Sequence, residues 1–379
     1  MYPPRIGIYV GEGASHSWIW FVDTLERAGI LNIVFLDERN WMDMLRALDI
    51  LMIGGGDPCT IQKTLGNYGL GSILEFIDGG GIYIGSCAGA YLPLRSFGRC
   101  SSIFGVVEAD LQNLSGDGRV FHPVRGPIRI RMRDEVFDAP LYGGPSIAAS
   151  EDIDVLASYD GFTERTSFLS DRFVAEEKLI GNAAIIRKRY GEGVFYLYGP
   201  HLEHPDHLLA NRVMIETIAS RRGRESGAFK EVEGNVIDQR WLRRLKREIS
   251  NARIVAHGLE TYPVRWKLGY KIWNPEKIAY FLNAIWKRLG YIESRIDEGI
   301  AMDSDPDEFI NSAADVTASL KQLRRMLGHG EDTTELAATL FHDLKMLTSS
   351  FLLIYLEDKM RKFKYDKLEV RDDGERSLF

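Results

Sequence analysis

The chain has 379 residues, a formal net charge of −7 and 45% hydrophobic residues, which is room for two domains at about 150 residues each. A negative balance argues against a general nucleic-acid binder, no apolar run is long enough to span a bilayer, and three cysteines do not make a disulfide framework. These features predict a protein of the reducing cytoplasm without a nucleic-acid or membrane partner, whose thiols are buried or chemically used.

Residues 5–10 read as a buried strand running straight on from the opening residues, so no signal peptide is expected. A Gly-rich turn over 11–15 and a helix from about Ser15 to Ala28 follow. Next come a strand near 32–36, a helix near 40–47, the strand Asp49–Ile53, a second Gly-rich turn over 54–58, a helix over 70–78 and the strand Gly81–Gly85. Strands alternating with helices in units this short predict an α/β domain with a mainly parallel sheet covered on both faces, a three-layer arrangement.

From about 100 to 165 the pattern changes to short alternating runs. Pro127–Arg133 is apolar on one face and arginine on the other, which reads as a half-exposed strand; an anionic partner is the sharper reading and a solvated edge the plainer one. Segments 183–187 and 193–198 form a hairpin around Tyr190–Gly193, and the second strand ends in Gly199-Pro200-His201. Beyond about 222 the pattern is helical. Asn274-Pro275-Glu276 is a helix start with an Asn cap, and amphipathic stripes over 278–289, 309–327 and 340–354 predict an all-α bundle. The domains are therefore 1–222 and 223–379. Net charge divides with them, −9 over residues 1–210 and +2 over the rest, as two parts with different roles would show.

Chemistry concentrates in Gly85-Ser86-Cys87-Ala88-Gly89. A strand, a G-x-C-x-G turn and a helix make a nucleophile elbow. The sharp turn lifts the nucleophile out of the sheet and leaves no room for a Cβ two residues before or after. The helix after it would place its positive end at the sulfur, and the Ala88 N–H points where an oxyanion forms. Two further strand ends complete the set. Gly199-Pro200-His201-Leu202-Glu203 supplies a base and its carboxylate partner, and the 54–56 turn supplies N–H donors. All three lie where α/β sheets place their ligands. His16, early in the first helix and close to a Gly turn, is a further pocket-lining candidate.

The order of these segments resembles the class I glutamine amidotransferase superfamily. Within it the chain looks most like the amidotransferase-like domain at the N-terminus of eukaryotic biotin–protein ligases and related stand-alone proteins. The matching residues are Tyr9–Ser15, Gly54–Asp57, Gly79–Tyr91, Tyr142–Pro145 and Gly199–Glu203, so the resemblance covers roughly residues 5–205, on the scale of one α/β domain. It implies a flavodoxin-like fold, a catalytic triad of Cys87, His201 and Glu203, and oxyanion donors at Gly55, Gly56 and Ala88. It also implies a pocket lined by Gly13, Ser86, Tyr91, Tyr142, Gly143 and Gly144. Leu202 stands where the family has proline. Residues that would hold glutamine's α-amino and carboxylate groups find no match, nor does a synthetase domain or a biotin-ligase glycine–arginine signature.

The reading is a cysteine-dependent amide hydrolase or amidotransferase-like enzyme passing through a thioester, acting on a small amide or acyl substrate and needing neither metal nor organic cofactor. A non-catalytic ligand-binding module and a cysteine peptidase remain open on the same elbow. A metal hydrolase is the other rival, because His201, Glu203, His204, Asp206 and His207 are dense in potential ligands. Residues packed this closely on one turn cannot all face one ion. Cys59 is read as a small, partly buried thiol. Trp266 and Trp273 are read as packing between the domains, and the helical part as a surface for a protein partner or self-association.

Overall fold

The computed structural model describes residues 3–97, 100–101, 105–115, 119–220 and 234–376. Contacts divide the chain into two compact units, Met1–Ile30 with Val34–Ser226 and Leu31–Ile33 with Gly227–Phe379. The domain break expected at 222/223 lies outside the described residues.

The first unit is α/β. It contains β1 (Ile6–Tyr9), α1 (Trp18–Arg27), β2 (Ile33–Leu36), α2 (Trp41–Leu45), β3 (Ile50–Ile53), α3 (Pro58–Asp78), β4 (Ile82–Ser86) and α4 (Ala88–Tyr91). Then come β5 (Ser96–Phe97), β6 (Cys100–Ser101), β7 (Ala109–Leu111), β8 (Val124–Met132), β9 (Glu135–Leu141), β10 (Ile147–Ala149), β11 (Asp154–Phe162) and β12 (Ser167–Phe168). The unit ends with α5 (Arg172–Leu179), β13 (Ala183–Tyr190), β14 (Gly193–Tyr198) and α6 (Leu208–Ala219). A 12-stranded sheet runs in the order β12-β8-β11-β13-β14-β4-β3-β1-β2, with β7, β9 and β10 off that path. The pairs β1–β3, β3–β4 and β4–β14 are parallel. Beyond β14 the pairs are antiparallel, including the expected β13–β14 hairpin.

Burial follows the pattern that built these elements. β1 and β3 are buried at every position, as strands covered on both faces must be, whereas β8 alternates buried isoleucines with exposed arginines. The long helix α3 starts further upstream than its apolar pattern shows. Asp57 caps it by accepting hydrogen bonds from the Cys59 and Thr60 N–H groups, and a non-helical Gly66 (φ +61°) breaks its periodicity. Helix α4 has only four residues, so the dipole expected at the sulfur is small. Cys59 departs from the sequence reading too: it is disulfide-bonded. Pairing depends on a Cα–Cα approach that only the fold supplies, so spacing along the chain carries no sign of it.

The second unit comprises β15 (Asn235–Val236), α7 (Gln239–Leu259), β16 (Trp266–Leu268), β17 (Lys271–Trp273), α8 (Glu276–Trp286), α9 (Leu289–Arg295), β18 (Ala301–Met302), α10 (Pro306–Gly328) and α11 (Thr334–Arg376). The three predicted stripes lie on α8–α9, α10 and α11, and their apolar residues are buried except Leu327, which is half-buried. Pro275, not Asn274, precedes α8, and no side chain caps it; the Asn274 amide instead donates to Glu276. Trp266 and Trp273 pack within this unit on Phe341, with ring centroids 6.0 and 4.2 Å away. No helix among the described residues is long and apolar enough to cross a membrane.

Candidate active site

Cys87 follows β4 with φ 52° and ψ −104°, a conformation that costs a non-glycine residue about 1–3 kcal/mol and survives only where its surroundings impose it. The surroundings do so. The Cys87 N–H donates to the Tyr198 carbonyl at 2.9 Å, and the Gly89 N–H to the Gly54 carbonyl at 3.0 Å. A Cβ on Gly85 would stand 2.4 Å from the Gly89 carbonyl oxygen, and one on Gly89 only 2.0 Å from that of Ile53. The two glycines thus meet the steric demand that the motif expresses.

His201 comes to the sulfur from the end of β14, the strand hydrogen-bonded to β4. Its imidazole is buried and hydrogen-bonded to Cys87. Nδ1 faces Glu203 Oε1 at 2.6 Å, which leaves Nε2 for the sulfur. Glu203 is fully buried, and its carboxylate accepts the Ser86 hydroxyl, at 2.8 Å to Oε2 and 3.0 Å to Oε1. The turn carrying His201 and Glu203 is tied on several sides. The Thr24 hydroxyl donates to the Glu203 carbonyl at 2.9 Å, the Asn211 amide to the Leu202 carbonyl at 2.7 Å, and the His201 N–H to the Pro140 carbonyl at 2.8 Å. Burial disfavours a charged imidazole, but the Glu203 and Cys87 charges and hydrogen bonds to both outweigh it and push the His201 pKa up to about 10. By the same reciprocity the imidazolium favours the Cys87 thiolate.

The oxyanion donors divide. The Gly55 N–H donates to Ser17 Oγ at 2.9 Å, so it is already engaged. Among the described residues no hydrogen bond takes up the N–H of Gly56 or Ala88. Gly55 has another use: a Cβ there would lie 2.8 Å from His201 Cε1, so its bareness admits the imidazole. The turn is braced by the 11–15 loop, through Ser15 N–H to the Gly55 carbonyl at 2.9 Å and Asp57 N–H to the Gly13 carbonyl at 2.8 Å. Gly13 (φ +84°) thus helps to hold this turn.

The remaining candidates fall into a wall and its backing. Tyr142 is 40% exposed, with its ring centroid 5.6 Å from that of His201. Gly143 and Gly144 sit behind it: their carbonyls accept the Tyr91 hydroxyl at 3.0 Å and the Asn113 amide at 3.1 Å. A Cβ on Gly144 would run into the Gly199 carbonyl. Tyr91 is buried, which together with the Cys87 charge holds its phenol protonated well above the usual range despite the Asn113 hydrogen bond. His16 is buried edge-on to Trp20 at 5.1 Å. Ser86 is a fully buried donor to Glu203, not a lining residue. Sequence reasoning missed Ser17, Asn113 and Trp20. The Trp20 ring stands edge-on to His201 at 5.3 Å and 4.5 Å from His204; His16 lies in the turn before α1, which begins at Trp18, and not within the helix where the sequence placed it. Among the described residues no group of three or more His, Cys, Asp or Glu is disposed to hold a metal ion.

No protein-family model matches the sequence, and none of the curated proteins matches it. Among solved structures, a glutamine amidotransferase is similar over 57% of this chain and 99% of its own, with 18% identity and a TM-score of 0.42. A protein described as a GMP synthase component from Thermoplasma acidophilum is similar over 58% and 94%, with 16% identity and a TM-score of 0.39. A cytoplasmic protein of Salmonella typhimurium is similar over 58% and 100%, with 12% identity and a TM-score of 0.38.

Proposed function

We propose that the first unit is a cysteine-dependent amide hydrolase of the amidotransferase type, with Cys87 as nucleophile, His201 as general acid and base, and Glu203 as its partner. The observation that carries this reading is the strained Cys87 backbone, hydrogen-bonded at its side chain to an imidazole that a buried carboxylate holds from behind. A buried charge pair is weak evidence of stability, and strain of this kind collects where chemistry needs it.

The Cys87 thiolate attacks the carboxamide carbon and forms the C–S bond, and the carbonyl π electrons move to oxygen. The Gly56 and Ala88 N–H groups receive the oxyanion. As the carbonyl re-forms, the C–N bond breaks and the His201 imidazolium gives its proton to the leaving amine. The thioester remains. His201, now neutral, takes a proton from water, whose oxygen attacks the acyl carbon; collapse expels the thiolate and releases the acid. Trp20 and Tyr142 shield the imidazole edge.

Incubation with a panel of small primary amides, acid quenching and mass spectrometry of the Cys87 peptide test the scheme. An acyl adduct on Cys87, absent from Cys87→Ser and accumulating in His201→Ala only at a much reduced rate, is expected. Amide turnover that survives Cys87→Ser would remove the nucleophile from this account.

A further inference from the structure

The segment Tyr142-Gly143-Gly144-Pro145-Ser146 has little reason of its own to keep one shape, because two successive glycines leave the backbone nearly free. It is held from outside. Three successive carbonyls each accept a hydrogen bond from a buried side chain: Gly143 from the Tyr91 hydroxyl at 3.0 Å, Gly144 from the Asn113 amide at 3.1 Å and Pro145 from the Tyr159 hydroxyl at 2.8 Å. The three donors come from α4, from the segment after β7 and from β11. Gly144 also lies against the strand end that carries His201, where a Cβ would run into the Gly199 carbonyl.

Asn113 is the centre of this clamp. Leu111 of β7 pairs with Ile147 of β10, and the Gln112 N–H donates to the Ser146 carbonyl at 2.9 Å, so the chain leaves the ladder at residue 113 beside the loop. The Asn113 Nδ2 donates to the Tyr91 hydroxyl oxygen at 2.9 Å and to the Gly144 carbonyl, while Oδ1 accepts the Ser146 N–H at 3.0 Å. The opposite orientation of the amide would set oxygen against the Gly144 carbonyl and NH₂ against an N–H. With Asn113 donating to the Tyr91 oxygen, the phenol proton is left for the Gly143 carbonyl, and the two bonds strengthen each other. Tyr91 closes α4, four residues after Cys87. The chain from Asn113 through Tyr91 to Gly143 therefore ties the loop to the turn that carries the nucleophile.

What the loop presents is Tyr142. The ring centre lies 5.6 Å from that of His201, 6.4 Å from that of Trp20 and 5.5 Å from the Arg125 guanidinium carbon. A ring so surrounded offers an incoming group bulk at close range and little open face on which to stack.

We propose that Asn113 is a positioning residue of the Cys87 centre: it locks Tyr142 to the nucleophile turn through Tyr91 and thereby fixes a wall that limits the width of the acyl group. This rests on the assignment of Cys87 as nucleophile. The wall selects for narrow, unbranched acyl groups, and Asn113 acts on selection without touching the reacting atoms.

Alkylation of Cys87 by N-phenyliodoacetamide and by iodoacetamide tests this without a known substrate. The rate ratio, wide reagent over narrow, is normalised to that of glutathione. In the native chain the ratio is well below one. Tyr142→Ala raises it by at least about tenfold, the low end for size discrimination by a pocket. Asn113→Ala and the milder Tyr91→Phe each raise it by about threefold, as the loss of one hydrogen bond allows; Tyr91→Phe decides the matter if Asn113→Ala does not fold. In the Tyr142→Ala background neither substitution raises the ratio further, since a residue that acts through Tyr142 has nothing left to position. A purely structural role lowers the urea midpoint of Asn113→Ala and Tyr91→Phe and leaves the ratio at its native value, which overturns the proposal. So does a ratio near one in the native chain, an additive rise in the double variants, or a rise that grows with urea below the unfolding transition, the mark of partial unfolding. The pH profile with iodoacetamide separates the two claims: an ordinary thiol pKa in the native chain removes the nucleophile, whereas an activated thiol with an unchanged ratio in the variants removes only the role of Asn113.

Discussion

Replacing Ser86 by alanine takes away one hydroxyl from a dry site. That hydroxyl donates to a fully buried carboxylate, 2.8 Å from Oε2 and 3.0 Å from Oε1. A hydrogen bond to a charged group contributes about 1.5–3 kcal/mol, and nothing replaces it, because Oε1 already serves His201. Ser86→Ala should therefore lower the free energy of unfolding in urea by about 1.5–3 kcal/mol. It should also act through the imidazole. A carboxylate less comfortable in its charged form holds His201 less firmly, and at 1.36 kcal/mol per pKa unit the apparent pKa of Cys87 alkylation should rise by about one. Both readouts are needed, since a purely structural role for Ser86 would move the first and leave the second. A stability loss under about 0.5 kcal/mol with a superimposable alkylation profile would refute the argument that Ser86 fixes Glu203.

Gly55→Ala puts a methyl 2.8 Å from His201 Cε1 and 3.0 Å from Ser17 Oγ; the chain should still fold, while Cys87 alkylation at pH 7 slows by about tenfold as the ring is pushed off the sulfur, a 1 Å misplacement being enough for such losses. Unaltered alkylation in a folded variant would mean that the turn does not define the ring position. The pH dependence of stability follows from His201. Its folded pKa, about 10, lies above the ordinary 6.5, so its contribution is complete below pH 6.5 and is lost as pH rises through about 10. The stability gap between the native chain and Glu203→Gln should accordingly be widest at the acid end of that window and close towards its alkaline end; a gap that widens with pH contradicts the assignment.

How far the sequence reveals this site depends on how local each requirement is. Cys87 with Gly85 and Gly89 is legible because the clashes that demand glycine arise within one tight turn and the strand beside it. His201 and Glu203 are legible because the end of β14 lies beside the end of β4. What the sequence hides is direction and pairing. The 54–56 turn lies against His201, but only coordinates reveal that the Gly55 N–H belongs to Ser17. Ser86 and Asn113 act on partners 117 and 31 residues away, and no local pattern records such distances.

The same division holds for the fold. Alternating short strands and helices predict the α/β class and the β8 alternation, and amphipathic stripes predict α10 and α11. The extent of the antiparallel half is not legible: β8, β11 and β13 bulge and shift register where they pair, which interrupts the two-residue period on which such a reading relies. Helix α3 shows a related loss, since Gly66 splits its apolar stripe.

The central claim is that Cys87 and His201 form one coupled unit. The most direct test is the pH dependence of Cys87 alkylation by iodoacetamide in the native protein and in His201→Ala. The account predicts an apparent pKa well below the ~8.5 of a free thiol in the native chain, returning to that value or above it when the imidazole is removed. An ordinary pKa in both proteins would contradict it.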